Sequence, residues 1–475
     1  MRDNVVVIFM VSSIMATVVL GGAVAYELGR DRTPKVQIIG TAAGQSALTP
    51  GVSVTPGGGS AAPAAGDTQS TTAAGAPASS SSGSSGGSAA GANGPTSSGS
   101  GGGTPSNLAV TAGVIKVGGL FDETGPVDAT VERDTVRAYF NEVNAAGGVN
   151  GKTLVLVDCD SKFNTTDGAN CANKLINNDH VFAEVGETAP NGEDATTHSF
   201  TAAGIPVIGG LGTPNEANDP LSFPTSPKFT TYGIGMGNRA ADLSFTDVGI
   251  VVVNISFIQP VVTQLKATLA ARGVKVVQTE LVDATKANYA DTVLDLQSHG
   301  AKSIVAALDP FSYERLFQSM QGASFKPPLL GLGLDKGSAN PSPASPNNGY
   351  GTFVKGMWSI TPFIEPADHP NDPNIQTYIN TVRKYFPNQV APLDVYTEGS
   401  WTSAHLFVDA LKRAGNNPSQ KTLVDALNAT KNFTGGGLMA APLSYAPGVH
   451  DPARCFWMLE NQNLVWTTVS QPKCF

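Results

Sequence analysis

Val114-Ile115-Lys116-Val117-Gly118-Gly119-Leu120 is a short apolar run of strand type, and the pattern that begins with it decides the fold. A helix is predicted from about Asp128 to Ala146, with Val136, Phe140 and Val143 on one face and Gly147-Gly148 as its stop. Leu154-Val155-Leu156-Val157 is the next strand, and a helix near Gly168 to Asn177 comes after it. Val181 to Val185 and Pro206 to Ile208 continue the strands. The rhythm restarts after Tyr232. Strands at Ile250–Val253, Val274–Gln278, Ser303–Leu308 and from Leu329 alternate with helices at Pro260–Arg272, Tyr289–His299 and Tyr313–Gln321. Near-continuous apolar strands separated by helices make parallel sheets covered on both faces. Two such runs predict an α/β chain of two doubly wound lobes with a hinge and an interlobe cleft.

Upstream the chain changes character. Asn4 to Tyr26 is an uninterrupted apolar run, long enough for a helix to cross a bilayer. Ala23-Val24-Ala25 also fits a signal-peptidase site. Residues 1–35 are therefore a membrane anchor or a signal segment. Either one exports the rest of the chain. Residues 36–113 are mostly Gly, Ser, Ala, Pro and Thr with Asp67 as the sole charge, too poor in large apolar groups to offset ordering entropy. This segment reads as a disordered linker, and some 70 residues of such a coil span roughly 45–50 Å. A tether of that kind is of use when its far end is attached, which favours the anchor. The expected location is extracytoplasmic, held to the cell membrane by the N-terminal helix, or secreted if that helix is cleaved.

The whole chain has 475 residues, 29 Lys+Arg, 38 Asp+Glu, a net charge of −9 and only 14% charged residues. A basic nucleic-acid surface is excluded on that balance. Four cysteines in an exported chain argue for disulfides. Four allow three pairings, and sequence proximity favours Cys159–Cys171 and Cys455–Cys474. The second would close a C-terminal hairpin with strands Cys455–Leu459 and Leu464–Val469. There is no C-x-x-C, H-E-x-x-H, P-loop or complete G-x-G-x-x-G, and no G-x-S-x-G outside the Gly/Ser-rich linker. Hence no cofactor, metal or enzymatic activity is expected. Gly233-Ile234-Gly235-Met236-Gly237 is taken as a lining or linking loop. His405 and the four tryptophans are read as packing residues, and Asp122-Glu123 as polar groups at the cleft rim rather than an acid/base pair.

Segments beyond the carboxyl ends of the strands are rich in Gly, Thr, Asp and Pro, and such ends are where open α/β sheets bind ligands. Together with Thr124-Gly125-Pro126, the run Asn141-Glu142-Val143-Asn144-Ala145-Ala146-Gly147-Gly148-Val149-Asn150-Gly151-Lys152, Ala203-Gly204-Ile205-Pro206-Val207 and a late helix within Tyr396–Gly415, they resemble the type I periplasmic binding proteins of the leucine/isoleucine/valine class. These are the solute receptors of ABC importers. The resemblance covers about Val114 to the C-terminus. It implies three crossings between lobes, near Tyr232, Trp358–Pro362 and Pro442–His450. Lobe 1 is then 114–231 with about 362–445, and lobe 2 is 232–361 with about 446–475.

It also implies a ligand set of Thr188, Ala189, Leu211 and Thr213 from lobe 1, with Phe257 covering the solute, and Glu123 is added from the rim. Three positions depart from the family pattern. The aromatic expected at the start of the first helix falls near Thr130, a tyrosine falls near Asp309, and the carboxylate that holds an α-amino group falls near Gly333. Asp309 or Asp335 would have to substitute. A branched-chain amino acid is thereby less favoured, and other small polar or amphipathic solutes stand beside it. The implied partners are a small-molecule ligand and an ABC permease, with the chain itself monomeric. The alternative is a membrane-tethered sensing receptor without a transport role.

Overall fold

The computed structural model describes residues 110–111, 113–334, 353–366, 368–387, 395–452, 454–462 and 465–475. The anchor or signal segment, nearly all of the linker and Asp335 lie outside them. No helix among the described residues is long and apolar enough to cross a membrane.

The first sheet begins with β1 (Val110–Thr111), antiparallel to the start of β2 (Val114–Phe121). It continues with β3 (Thr153–Asp160), β4 (Glu184–Val185), β5 (Val207–Ile208) and β6 (Ser222–Phe223) in the order β3-β2-β4-β5-β6, all parallel. Its helices are α1 (Thr130–Ala145), α2 (Thr165–Asn173), α3 (Pro190–Ala202) and the short α4 (Pro214–Asn218). The predicted strand over 181–185 contracts to two residues, and α3 has little apolar signal because Thr196 and Thr197 stand among its buried positions. Their hydroxyls bond back to carbonyls one turn earlier, which makes them tolerable inside a helix.

The second sheet runs β13-β12-β11-β10-β9-β7-β8. Here β7 (Val248–Val253), β8 (Val276–Val282), β9 (Ser303–Ala307), β10 (Leu329–Leu332) and β11 (Trp358–Thr361) are parallel, and the hairpin β12 (Cys455–Gln462) and β13 (Val465–Cys474) is antiparallel. Helices α5 (Phe229–Asp242), α6 (Ile258–Ala271), α7 (Ala290–Ser298) and α8 (Pro310–Gly322) cover it. Of the late helices α9 (Pro373–Tyr385), α10 (Val395–Arg413) and α11 (Gln420–Asn428), the last two return to the first sheet, where Phe407 and Leu423 share a core with Val117, Phe140 and Val185.

The Gly233–Gly237 run is helical, not a loop. A Cβ on Gly233 would lie 2.7 Å from the Val261 carbonyl oxygen, and one on Gly237 would lie 2.8 Å from Thr268. The glycines let α5 press against α6, and that contact outweighs their poor helix propensity. Both disulfides form as sequence proximity favours, Cys159–Cys171 and Cys455–Cys474. The second joins cross-strand partners of the β12–β13 hairpin.

Candidate functional site

Between the sheets, at the carboxyl ends of their parallel strands, lies a cavity of about 110 Å³. Lobe 1 contributes the segment before and into α1 (Val127, Asp128, Ala129, Glu132), Phe163 after β3, Thr188 and Pro190 after β4, and Leu211 after β5. The second sheet contributes Val253, Ile255 and Ile258 after β7, the run Ala307–Phe311 after β9, and Leu332. Phe229 and Tyr396 complete the wall. Most of this surface is aliphatic or aromatic. Its charged groups are three carboxyls, Asp128, Glu132 and Asp309, and among the described residues no lysine, arginine or histidine lines it.

Three of the residues predicted from sequence meet here, namely Thr188, Leu211 and Asp309. Asp309 caps α8, its Oδ1 accepting the Ser312 amide at 2.9 Å. Its Oδ2 is buried with no hydrogen-bond partner, and burial pushes its carboxyl above the usual aspartate range.

The others stand apart from the cavity wall. Glu123 is paired with Arg133, and burial beside Asp158 pushes it up to about 7. Ala189 is fully buried with Leu120 and Cys171. Thr213 is buried and caps α4 in a capping box, its amide donating to Glu216 Oε2 at 2.7 Å. Phe257 packs edge-on against Phe229, with ring centroids 5.0 Å apart. It therefore backs the cavity wall rather than covering the cavity.

The aromatic that reaches over from lobe 1 is Phe163. It lines the cavity and also packs against the core of the second sheet. Its backbone is left-handed (φ 61°), as is that of Lys162 (φ 52°), an uncommon conformation for bulky side chains. Buried Asp122 holds the turn, its Oδ1 accepting the Phe163 amide at 2.6 Å. Asn191 bridges the lobes by donating to the Phe163 carbonyl and accepting the Ser256 amide. No sequence pattern marks a phenylalanine in a left-handed turn, so nothing in the spacing singles it out.

Behind the lobe 1 loops sit four buried carboxyls, Glu184, Glu187, Glu193 and Glu216. Three of them hold backbone amides of those loops or of the end of β2. Glu184 Oε1 accepts the Leu120 amide at 3.1 Å, Glu193 accepts those of Ala189 (2.6 Å) and Leu211 (3.1 Å), and Glu216 accepts that of Thr213. Burial pushes Glu184 up to about 8 and Glu216 up to about 7. Burial, with the surrounding carboxylates, pushes Glu187 and Glu193 well above the normal range. No group of His, Cys, Asp and Glu among the described residues has the geometry of a metal site.

Solved structures share this architecture. A fatty acid ABC transporter substrate-binding protein from Thermomonospora curvata superposes with a TM-score of 0.65 at 19% identity, covering 77% of this chain and 94% of that one. A solute-binding protein of an ABC transporter from R. palustris, in complex with benzoate, gives 0.64 at 16% identity over 76% and 98% of the two chains. The branched-chain amino acid transporter substrate-binding protein of Streptococcus pneumoniae, in complex with isoleucine, gives 0.63 at 17% over 76% and 99%. At such identities the likeness is one of fold. No curated protein sequence matches the chain significantly. The family model for periplasmic binding proteins matches residues 114–463, and the chain belongs to that family.

Proposed function

We propose that this chain is the extracytoplasmic solute receptor of an ABC importer, and that its cleft captures a small amphipathic, amino-acid-like solute with an apolar body and an ammonium group. The lobes are taken as 114–231 with 362–445, and 232–361 with 446–475. The solute enters the open cleft, and rotation at the three connections brings the lobes together over it. The N-terminal helix and linker hold the receptor near its permease.

The observation that carries this reading is the lining of the cavity, an apolar wall with carboxyls and no basic side chain among the described residues. A buried ammonium needs a carboxylate partner, and a buried carboxylate without a cation or donors is costly. The wall therefore suits an amine better than a bare acid. Its size bears on the class as well. An apolar cavity of roughly 150 Å³ accommodates benzene, so about 110 Å³ suits a solute of a few heavy atoms and not a long acyl chain. Thr188 and Tyr396 supply hydroxyls, Phe163 and Phe311 supply aromatic contact, and Asp309 supplies an acceptor.

The test is a thermal-shift comparison of three ligands with the same branched body and different charge: 3-methylbutylamine, leucine and 4-methylpentanoate. Binding to the native state raises the melting point by mass action. The amine and the amino acid are expected to raise it and the acid to leave it unchanged. A shift from 4-methylpentanoate alone would refute the assignment.

A further inference from the structure

Beneath the cleft, and sharing Thr188, Leu211, Phe229, Leu332 and Tyr396 with it, is a nook of about 20 Å³, room for about one water-sized group. Glu187 forms part of its wall, with Ser226, Tyr232 and Ser400 nearby. We infer that this nook is a seat for a primary ammonium group, with Glu187 as its counter-ion, and that filling the seat expels one proton to solvent. The inference rests on the amine reading of the cleft and deepens it.

Glu187 differs from its three neighbours. Glu184, Glu193 and Glu216 each accept at least one backbone amide. No backbone amide or other donor outside the carboxyl cluster reaches either oxygen of Glu187, whose hydrogen-bonding neighbours are Glu184 and Glu216, although the residue is only 2% exposed. It is the member of the set that faces the cavity system without a donor of its own. An ammonium supplies the missing donors. Thr188 Oγ1 and Ser400 Oγ, 3.4 Å apart, flank the nook and offer further acceptors. A carboxylate in the same place would meet the Glu187 carboxyl and, among the described residues, no basic side chain.

The groups facing Glu187 are Glu184 on β4, Glu193 on α3 and Glu216 on α4, and the phenols of Tyr232 on α5 and Tyr396 on α10 also line the nook. Burial and the neighbouring carboxylates raise the Glu187 carboxyl well above the usual glutamate range, so the empty nook favours its protonated form, and it can pair with Glu184 only by holding that proton. An entering cation favours the charged form. The exchange balances as R–NH3⁺ + Glu187–COOH → R–NH3⁺···⁻OOC–Glu187 + H⁺. The ammonium keeps its own protons, and the carboxyl proton goes to buffer.

The test is isothermal titration of the full-length protein at pH 7 with ammonium chloride and with 3-methylbutylammonium chloride. Each is run in phosphate and in Tris, with tetramethylammonium chloride as an ionic-strength control too large for the seat. The expected result is a binding enthalpy that differs between buffers by an amount equal to about one proton released per site. Glu187→Gln, checked for folding by its unliganded melting curve, should bind at least ~10-fold more weakly and show no buffer dependence. A response to ammonium chloride alone marks the seat as open to a free cation, and a response confined to the alkylammonium marks it as serving the solute's own head group. Either supports the seat. Buffer-independent binding, an equal response to tetramethylammonium, or loss of binding on Asp309→Asn but not on Glu187→Gln overturns it while leaving the amine reading of the cleft intact. If neither ammonium probe binds, both fall.

Discussion

Raising the pH from 6.5 to 9 is expected to destabilise the folded protein, and the four buried glutamates set the size of the effect. Glu216 moves from a normal 4.5 to about 7 and Glu184 to about 8. Between those limits the native state holds protons that the unfolded chain has released, so stability falls as pH rises. The contribution is complete below about 4.5 and gone above the folded values. One pKa unit is about 1.4 kcal/mol, and most of the Glu216 contribution is already lost below pH 6.5, so it is Glu184, raised to about 8, that corresponds by itself to a loss on the order of 2 kcal/mol across this window. The four carboxyls exchange protons with one another, and their losses therefore do not add. The value for one group is the expectation for the set.

Other groups leave this window clear or reinforce it. Burial lowers His405 and His450, so their contribution grows with pH only up to about 6.5 and is then flat. Asp242 and Asp247 are lowered, mainly by lysine and arginine partners, and their effect is confined to acid. Glu123, raised to about 7, adds to the same downward slope. The assay is urea unfolding followed by far-UV circular dichroism at half-unit pH steps, disulfides intact. Glu187→Gln should flatten the slope and be the more stable protein at pH 8.5. A wild-type stability that is constant or rising from pH 6.5 to 8.5 would refute the reasoning, because it would mean that these carboxyls are ionised without cost.

Phe163→Ala removes a half-buried phenyl that touches both the cavity and the second lobe, and is expected to weaken leucine or 3-methylbutylamine binding about 10-fold, measured by titration calorimetry, with a smaller effect on the melting point. The double change Cys455→Ser with Cys474→Ser opens a loop with a sequence separation of 19, and should cost on the order of 3 kcal/mol in urea unfolding. Gly237→Val places a side chain where even a Cβ would sit 2.8 Å from Thr268. It should force α5 from α6 and lower stability by about 1–3 kcal/mol, read by thermal denaturation.

What could be read from the sequence was governed by periodicity. The runs Ile250–Val253 and Ser303–Leu308 gave up their strands because they are buried on both faces and, apart from Ser303 at a strand end, are wholly apolar. The β4 strand is confined to Glu184–Val185, although Phe182 and Ala183 also bond to β2, through the Lys116 carbonyl and the Gly118 amide. The Gly233–Gly237 helix was concealed because its glycines answer to a neighbouring helix far along the chain. The site obeys the same division. Thr188, Leu211 and Asp309 stand directly after strands, and the parallel-sheet rule places such residues at the cleft. Phe163 reaches it through a left-handed turn that has no local signature, whereas Tyr396 stands on the late helix that the family resemblance placed beside the pocket.

The buried glutamates show where stability stops explaining a residue. Replacing Glu184, Glu193 or Glu216 by an apolar side chain would remove one expense, the burial of a carboxyl. It would also leave the amides of Leu120, Ala189, Leu211 or Thr213 without an acceptor, at about 1–3 kcal/mol each. Those three acids therefore hold the cleft loops in shape, with their raised pKa values as a consequence of burial. Glu187 holds no amide. A leucine or methionine there would leave no backbone amide unsatisfied, and what it would remove is the carboxyl that hydrogen-bonds Glu184 and Glu216. Glu187 holds no loop in shape and faces a nook that opens into the solute cavity, and its place there is accounted for by what enters that nook.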